Sequence, residues 1–111
     1  MIASPRVNGA LVLREVIILD GLRFAADGKV IALAGITSVP SGSECRRLDG
    51  VVESCIVRAA NRLEVLTKGR PVICDVKESD GRFRGVCRAG KIDLAEDLVR
   101  NGLAVRTSDG R

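Results

Sequence analysis

A chain of 111 residues is one domain with a single, modest core. Apolar residues make up 46% of it, yet Phe24 and Phe83 are its only aromatics and it has no Trp, Tyr or His. The core must therefore be aliphatic, imidazole catalysis is excluded, and stacking of bases on aromatic platforms is disfavoured. The net charge of +4, carried mostly by Arg, suits an anionic partner but lies within the range of ordinary soluble domains. No stretch approaches the ~20 apolar residues of a membrane-spanning helix.

In chain order, Ala10 to Phe24 is rich in Leu, Val and Ile. It reads as one long strand, or as two joined by a bend at Asp20-Gly21. Asp27-Gly28 is a hairpin turn leading into a strand over Lys29 to Ile36. Val39 to Gly50 carries Pro, Ser, Gly and paired charges and reads as a loop. From Val51 to Lys68 the apolar positions Val52, Cys55, Ile56, Ala59, Leu63 and Leu66 recur at helical spacing, and Gly69 ends the run. Pro71 opens the strand that holds Cys74. A second helix starts at the N-cap Asp93, with Glu96 three residues on. It turns Leu94, Leu98 and Val99 to the core and stops at Gly102. The order is β-β-β-α-β-β-α, with no internal repeat and no second domain.

The stretch between Cys74 and Cys87 is the most informative. Asp80-Gly81 is a two-residue hairpin turn, because Gly accepts φ > 0 freely and Asp tolerates it. Ser79 then faces Arg82, and opposed residues keep a constant sum of 161 down the ladder, which sets Cys74 opposite Cys87. Alternation makes 74/87 a non-hydrogen-bonded pair with Cα atoms about 4.5 Å apart, within disulfide reach. Pairing 74 with 87 leaves Cys45 with Cys55, and four cysteines in a short chain read as two disulfides. Two rival readings stay open. A zinc site would have neither a C-x-x-C pair nor a His to offer, and buried cysteines are often no more than small hydrophobes kept as thiols. If the disulfides form, the compartment is oxidising, periplasmic or extracellular. Met-Ile-Ala-Ser-Pro is not a signal peptide, so this would be a mature chain whose export signal lies outside it.

A helix between the third and fourth strands is the arrangement of an OB-fold barrel. The run Val30-Ile31-Ala32-Leu33-Ala34-Gly35-Ile36 resembles the third strand of the staphylococcal nuclease-like (thermonuclease) family, where "RLxGI" precedes "DxPE". Gly81-Arg82, a strand ending in Cys87, Asp93-Leu94 and Leu98-Val99-Arg100-Asn101-Gly102-Leu103-Ala104 are similar to that family's "GR…C…DL…LVxxGxA" ending. Cys45, Cys55, Cys74 and Cys87 also sit where exported bacterial members often carry cysteines. The resemblance covers roughly residues 10 to 106. It implies a mainly β, α+β domain: a five-stranded barrel with two helices.

It also implies a site. The family cleaves phosphodiesters with Ca²⁺ held by two carboxylates, a glutamate that activates water and two arginines on the phosphate. Those residues suit a hard cation and the charge that develops at phosphorus. Aligning Val16 to Leu22 with "VIDGDTL" keeps one metal carboxylate, Asp20. The first arginine position is Ala32, the second carboxylate falls on Thr37, and the glutamate falls on Pro40, or on Ser41 with a one-residue slip. Only Arg82 matches, as the second arginine. Glu44, near the lost glutamate, is not expected to act as a base. A lone Asp and a lone Arg cannot hold Ca²⁺ and activate water. The family also continues past "GxA" into a third helix, where only Val105 to Arg111 follow here.

The expectation is therefore a catalytically degenerate, exported, disulfide-bonded binding module without a cofactor. Its partner would be a protein or an anionic polymer such as nucleic acid or acidic glycan. Arg82, Arg84 and Arg88, alternating on one strand face, are the candidate anion contacts, although such a row is commonly a solvated face. Asp20 beside Gly21 is a vestigial metal candidate with ordinary turn chemistry as its plainer role. Two alternatives remain: a Ca²⁺-dependent nuclease with a rearranged site, and a structural accessory subunit of a larger assembly.

Overall fold

The computed structural model describes residues 6–7, 10–40, 42–46 and 49–107. The N-terminal pentapeptide, Ser41 and the residues from Ser108 onward, which entered the sequence argument above, lie outside them.

The chain forms β1 (Arg6–Val7), β2 (Ala10–Leu13), β3 (Ile17–Ile18), β4 (Arg23–Ala26), β5 (Lys29–Leu33), β6 (Ile36–Ser38), β7 (Glu44–Arg46) and β8 (Val52–Ser54). Helix α1 (Cys55–Thr67) leads to β9 (Val72–Ser79), β10 (Arg82–Ala89) and β11 (Ile92–Asp93). Helix α2 (Leu94–Arg100) and β12 (Ala104–Arg106) follow. The main sheet has eight strands in the order β1-β2-β9-β10-β5-β4-β3, with β11 added to β10. All its pairings are antiparallel except β5 with β10. Strands β2 and β3 lie near opposite ends of this path yet are separated in the chain only by Arg14, Glu15 and Val16. The sheet therefore curls into a half-barrel, mostly β with two helices, consistent with an OB-like fold.

The hairpins follow their turn residues. Asp27 and Gly28 at the β4–β5 turn and Asp80 and Gly81 at the β9–β10 turn all have positive φ, the pairing of signs a type I′ turn demands. The β9–β10 register runs from Ser79↔Arg82 to Cys74↔Cys87, as the turn predicts. Both disulfides are present. Cys74–Cys87 has its Cα atoms 4.1 Å apart, and Cys45–Cys55 has them 5.0 Å apart. No cysteine among the described residues is free, so the zinc and free-thiol readings give way to a framework consistent with an oxidising, extracellular environment.

Four boundaries differ from the sequence reading. The Ala10–Phe24 segment bends at Asp20-Gly21 as expected, and also breaks at Arg14 to Val16, where the chain passes from one end of the half-barrel to the other. The strand from Lys29 to Ile36 stops at Leu33, because Gly35 turns the chain at φ 83° into β6, which pairs with β12. The Val39–Gly50 loop contains β7, and the helix read from Val51 begins only at Cys55. Val52 to Ser54 are instead extended against Glu44 to Arg46. The Ser54 hydroxyl then accepts from Ile56 N at 3.2 Å and starts the helix. Val52 and Ile56, read as core positions, are consequently exposed.

The core is aliphatic around one aromatic ring. Phe24, Leu13, Ile31, Leu63, Val72, Leu94 and Leu98 are all fully buried, each such side chain contributing about 1.5–3 kcal/mol relative to exposure. Helix α1 presents Cys55, Ala59, Leu63 and Leu66 to it at helical spacing. Helix α2 is capped as its sequence predicts, Asp93 Oδ1 accepting from Glu96 N at 3.0 Å, and it buries Leu94 and Leu98 with Val99 half-buried beside them. No helix among the described residues is long and apolar enough to cross a membrane.

Candidate functional site

Strand alternation places the candidate arginines. On β10, Phe83, Gly85, Cys87 and Ala89 turn inward, leaving Arg82, Arg84 and Arg88 exposed on the outer face. Cross-strand register fills in their neighbours. Arg84 is flanked by Lys77 on β9 and by Ala32 on β5, and Ala32 in turn by Arg23 on β4. The four positions Lys77, Arg84, Ala32 and Arg23 thus form one line across the sheet, with Arg82 two pairs nearer the turn. Arg82, Arg84 and Lys77 make no ion pair with any described residue.

Arg88 belongs to different surroundings. It pairs in register with Asp93 and lines a hollow of about 320 Å³ with Asp75, Lys91 and Asp93. Four residues along a strand, about 13 Å, separate it from Arg84, with Val86 between them. The row read from sequence is therefore a basic end, Arg82 and Arg84, and a mixed-charge end at Arg88. Lys77 and Arg23 were missed as neighbours. Hairpin register alone pairs Lys77 with Arg84, since their numbers sum to 161.

Asp20 is committed to the bend. Its Oδ1 accepts from Leu22 N at 2.8 Å and Arg23 N at 2.9 Å, and its Oδ2 accepts from Arg23 Nε at 3.0 Å and Nη2 at 2.8 Å. Partial burial alone would raise the carboxyl pKa. The hydrogen bond from Leu22, with those from Arg23 and its charge, outweighs burial and holds the group below the ordinary carboxylate value. Beside it is a hollow of about 200 Å³ shared with Gly21, Ser38, Val39, Ile56 and Leu103. Thr37, the aligned second carboxylate position, pairs with Val105 across β6 and β12. Glu44 is exposed on β7, opposite Ser54. Among the described residues no three His, Cys, Asp or Glu side chains gather as metal ligands.

The lowered Asp20 pKa has a sign that can be tested. A carboxyl whose folded value lies below its unfolded one contributes stability that is present above the unfolded value, about 3.9. That contribution is lost as pH falls through the folded value. Asp20→Asn should thus lower the Tm at neutral pH, and the gap to the parent should narrow below about pH 4. A ¹³C carboxyl titration placing Asp20 at or above the ordinary value would refute this.

No family model matches the chain, and no curated protein matches it.

Proposed function

We propose that this is an exported, disulfide-bonded, staphylococcal nuclease-like OB module that has given up phosphodiester cleavage and binds an anionic polymer on the outer face of its sheet. The observation that carries the reading is the cluster of Arg82, Arg84 and Lys77, exposed, adjacent across β9 and β10, and unpaired with any described carboxylate. Cations held side by side on a rigid sheet repel one another, and a polyanion laid across them relieves that repulsion while releasing its own counterions. The two disulfides support an oxidising home, periplasmic or extracellular. The reading of Asp20 as a turn residue is supported by its four hydrogen bonds, since a metal ion would have to compete with Arg23 for Oδ2.

Fluorescence anisotropy with a single-stranded oligonucleotide and with an acidic glycan, across a range of NaCl concentrations, tests the proposal. Affinity should fall steeply with salt, and Arg82→Ser with Arg84→Ser should flatten the slope on the single-stranded oligonucleotide by about 1.4 if each contacts one phosphate. The Tm should change little, because exposed unpaired charges contribute little to stability. Binding that is unmeasurable even at low salt would overturn the reading and leave a structural accessory role. Calcium-stimulated cleavage of the oligonucleotide, abolished by EDTA and by Arg82→Ala, would overturn it in favour of a nuclease.

A further inference from the structure

A second concentration of guanidinium groups is built from other elements and stands independently of the outer-face reading. Arg46 on β7 and Arg58 and Arg62 on α1 line a hollow of about 390 Å³, together with Cys45 and the turn that follows α2. Arg58 and Arg62 are four residues apart and share one face of the helix. Among the described residues no acidic side chain lines the hollow.

Two of the three arginines are held in place. Arg62 donates from Nε and Nη2 to the two oxygens of Asp97, each at 2.8 Å, and Asp97 is only 8% exposed. Asn101 Nδ2 donates to the main-chain oxygen of Asp97 at 2.8 Å and to its Oδ1 at 3.3 Å, fixing the carboxylate that orients Arg62. Arg46 is tethered through Nη1 to the Gly50 carbonyl at 3.3 Å. Arg58 is half-buried and makes no hydrogen bond or ion pair with any described residue. The Cys45–Cys55 disulfide ties the strand that carries Arg46 to the first residue of the helix that carries Arg58 and Arg62. Glu53, opposite Cys45 on β8, has a buried Oε1 without a hydrogen-bond partner and bonds to none of the three arginines. Asp97 neutralises one guanidinium, so Arg46 and Arg58 remain without an ion-pair partner among the described residues, on a concave surface.

We propose that this hollow binds a small, doubly charged oxyanion of the phosphate-monoester class. The charge matches, and a planar guanidinium fork fits tetrahedral phosphate oxygens where a carboxylate-lined or apolar pocket would not. The volume lies at the small-ligand end of the pocket range, which suits a phosphate with a small organic group. Arg58 is the arm left to close on the ligand. The anion also converts the mutual repulsion of the arginines into attraction, so binding should stabilise the fold.

The test is a titration of the oxidised protein with inorganic phosphate and with phenyl phosphate, against sodium chloride at matched ionic strength. Arginine Nε–H NMR signals and the Tm are the readouts. Saturable shifts of Arg58 and Arg46, and a Tm rise that chloride does not reproduce, are expected, with phenyl phosphate binding at least as tightly as phosphate. Arg58→Gln should weaken binding by about tenfold while leaving the anion-free Tm unchanged or raised, because it relieves repulsion. Arg82→Ser with Arg84→Ser should leave phosphate binding intact, which separates this site from the outer face. Shifts that match chloride, or equal affinity in Arg58→Gln and the parent, would overturn the proposal.

Discussion

Gly21→Ala is expected to destabilise the domain by about 1–3 kcal/mol, the usual range for forced overpacking. The reason is spatial. A Cβ built on Gly21 would overlap the Cβ of Ala59 on α1, and lie 3.5 Å from that residue's Cα and carbonyl carbon. Neither partner can rotate away, since an alanine methyl has no χ angle and Ala59 is packed against the core. The bend at Asp20-Gly21 and the helix can separate only by disturbing Leu63, Phe24 and their neighbours. Gly21 does not occupy positive φ, so the substitution carries no left-handed backbone penalty. In an open position the same change would be stabilising through the unfolded state, by about 0.4–1 kcal/mol. Urea unfolding decides between the two signs. A double-mutant cycle then identifies the cause: Ala59→Gly alone should cost about 1 kcal/mol of helix propensity, yet restore part of the loss when combined with Gly21→Ala. Strict additivity would mean the two residues do not clash.

The second large effect is the loss of the Cys74–Cys87 bridge. Replacing both cysteines with Ala is expected to cost about 3–5 kcal/mol: about 3 for the loop-closure constraint on the unfolded chain, and more for the sulfur volume removed. Both residues are buried in the core, at 0% and 1% exposure, Cys74 beside Leu11 of β2 and Cys87 on the inner face of β10. The space is tight there, since a Cβ on Gly85 would sit 3.1 Å from Cys87 Sγ and 3.3 Å from side chains of Ile31 and Val76. Cys45–Cys55 closes a loop of similar length, 10 residues against 13, so the chain-entropy contributions are nearly equal. Its Cys45 half is only partly buried on the short β7–β8 ribbon. Removing that bridge should therefore cost less. Guanidinium titrations of the two double-Ala variants give the order directly, and a larger loss from the 45/55 pair would contradict this account.

What could be read from the sequence was local. The Asp80-Gly81 turn carries its own geometry, and period-2 alternation propagates it, so register, disulfide and the outward face of Arg82 and Arg84 follow from a dozen residues. The Asp93 cap was legible for the same reason, because donor and acceptor lie three residues apart. Features that depend on distant partners were not. Glu44-Cys45-Arg46 is too short for its alternation to signal a strand and becomes one only because Val52 to Ser54 lie beside it. Strand β6 is completed by β12, far along the chain. Gly21 reads as a turn residue, and nothing in the sequence says that Ala59 will sit against it. The arginines of the β7–α1 hollow were invisible singly, since Arg46 lies in a segment that reads as loop and Asp97 reaches Arg62 only after the two helices pack. Arg88 was grouped with Arg84 by alternation, whereas its neighbours Lys91 and Asp93 come from the turn before β11 and from β11 itself.

The one parallel pairing in the main sheet sets the order in which this chain can be assembled. Hairpins β4–β5 and β9–β10 each join residues close in sequence and can form as soon as their own segments exist. The seam between them, Ile31 beside Phe83, needs the whole of α1 to be crossed, and Thr37 beside Val105 needs nearly the entire remaining chain. Both bridges fall on the local side of this divide. They fix β9 against β10 and β7–β8 against α1, and neither spans the seam. Oxidation therefore delivers finished parts, while joining them remains a search over long loops, the slow kind of step in β-rich topologies. Until that search ends, β5 and β10 each present an open edge. An oxidised chain that has not yet closed this seam would be the form most exposed to pairing with a second copy of itself rather than with its own other half.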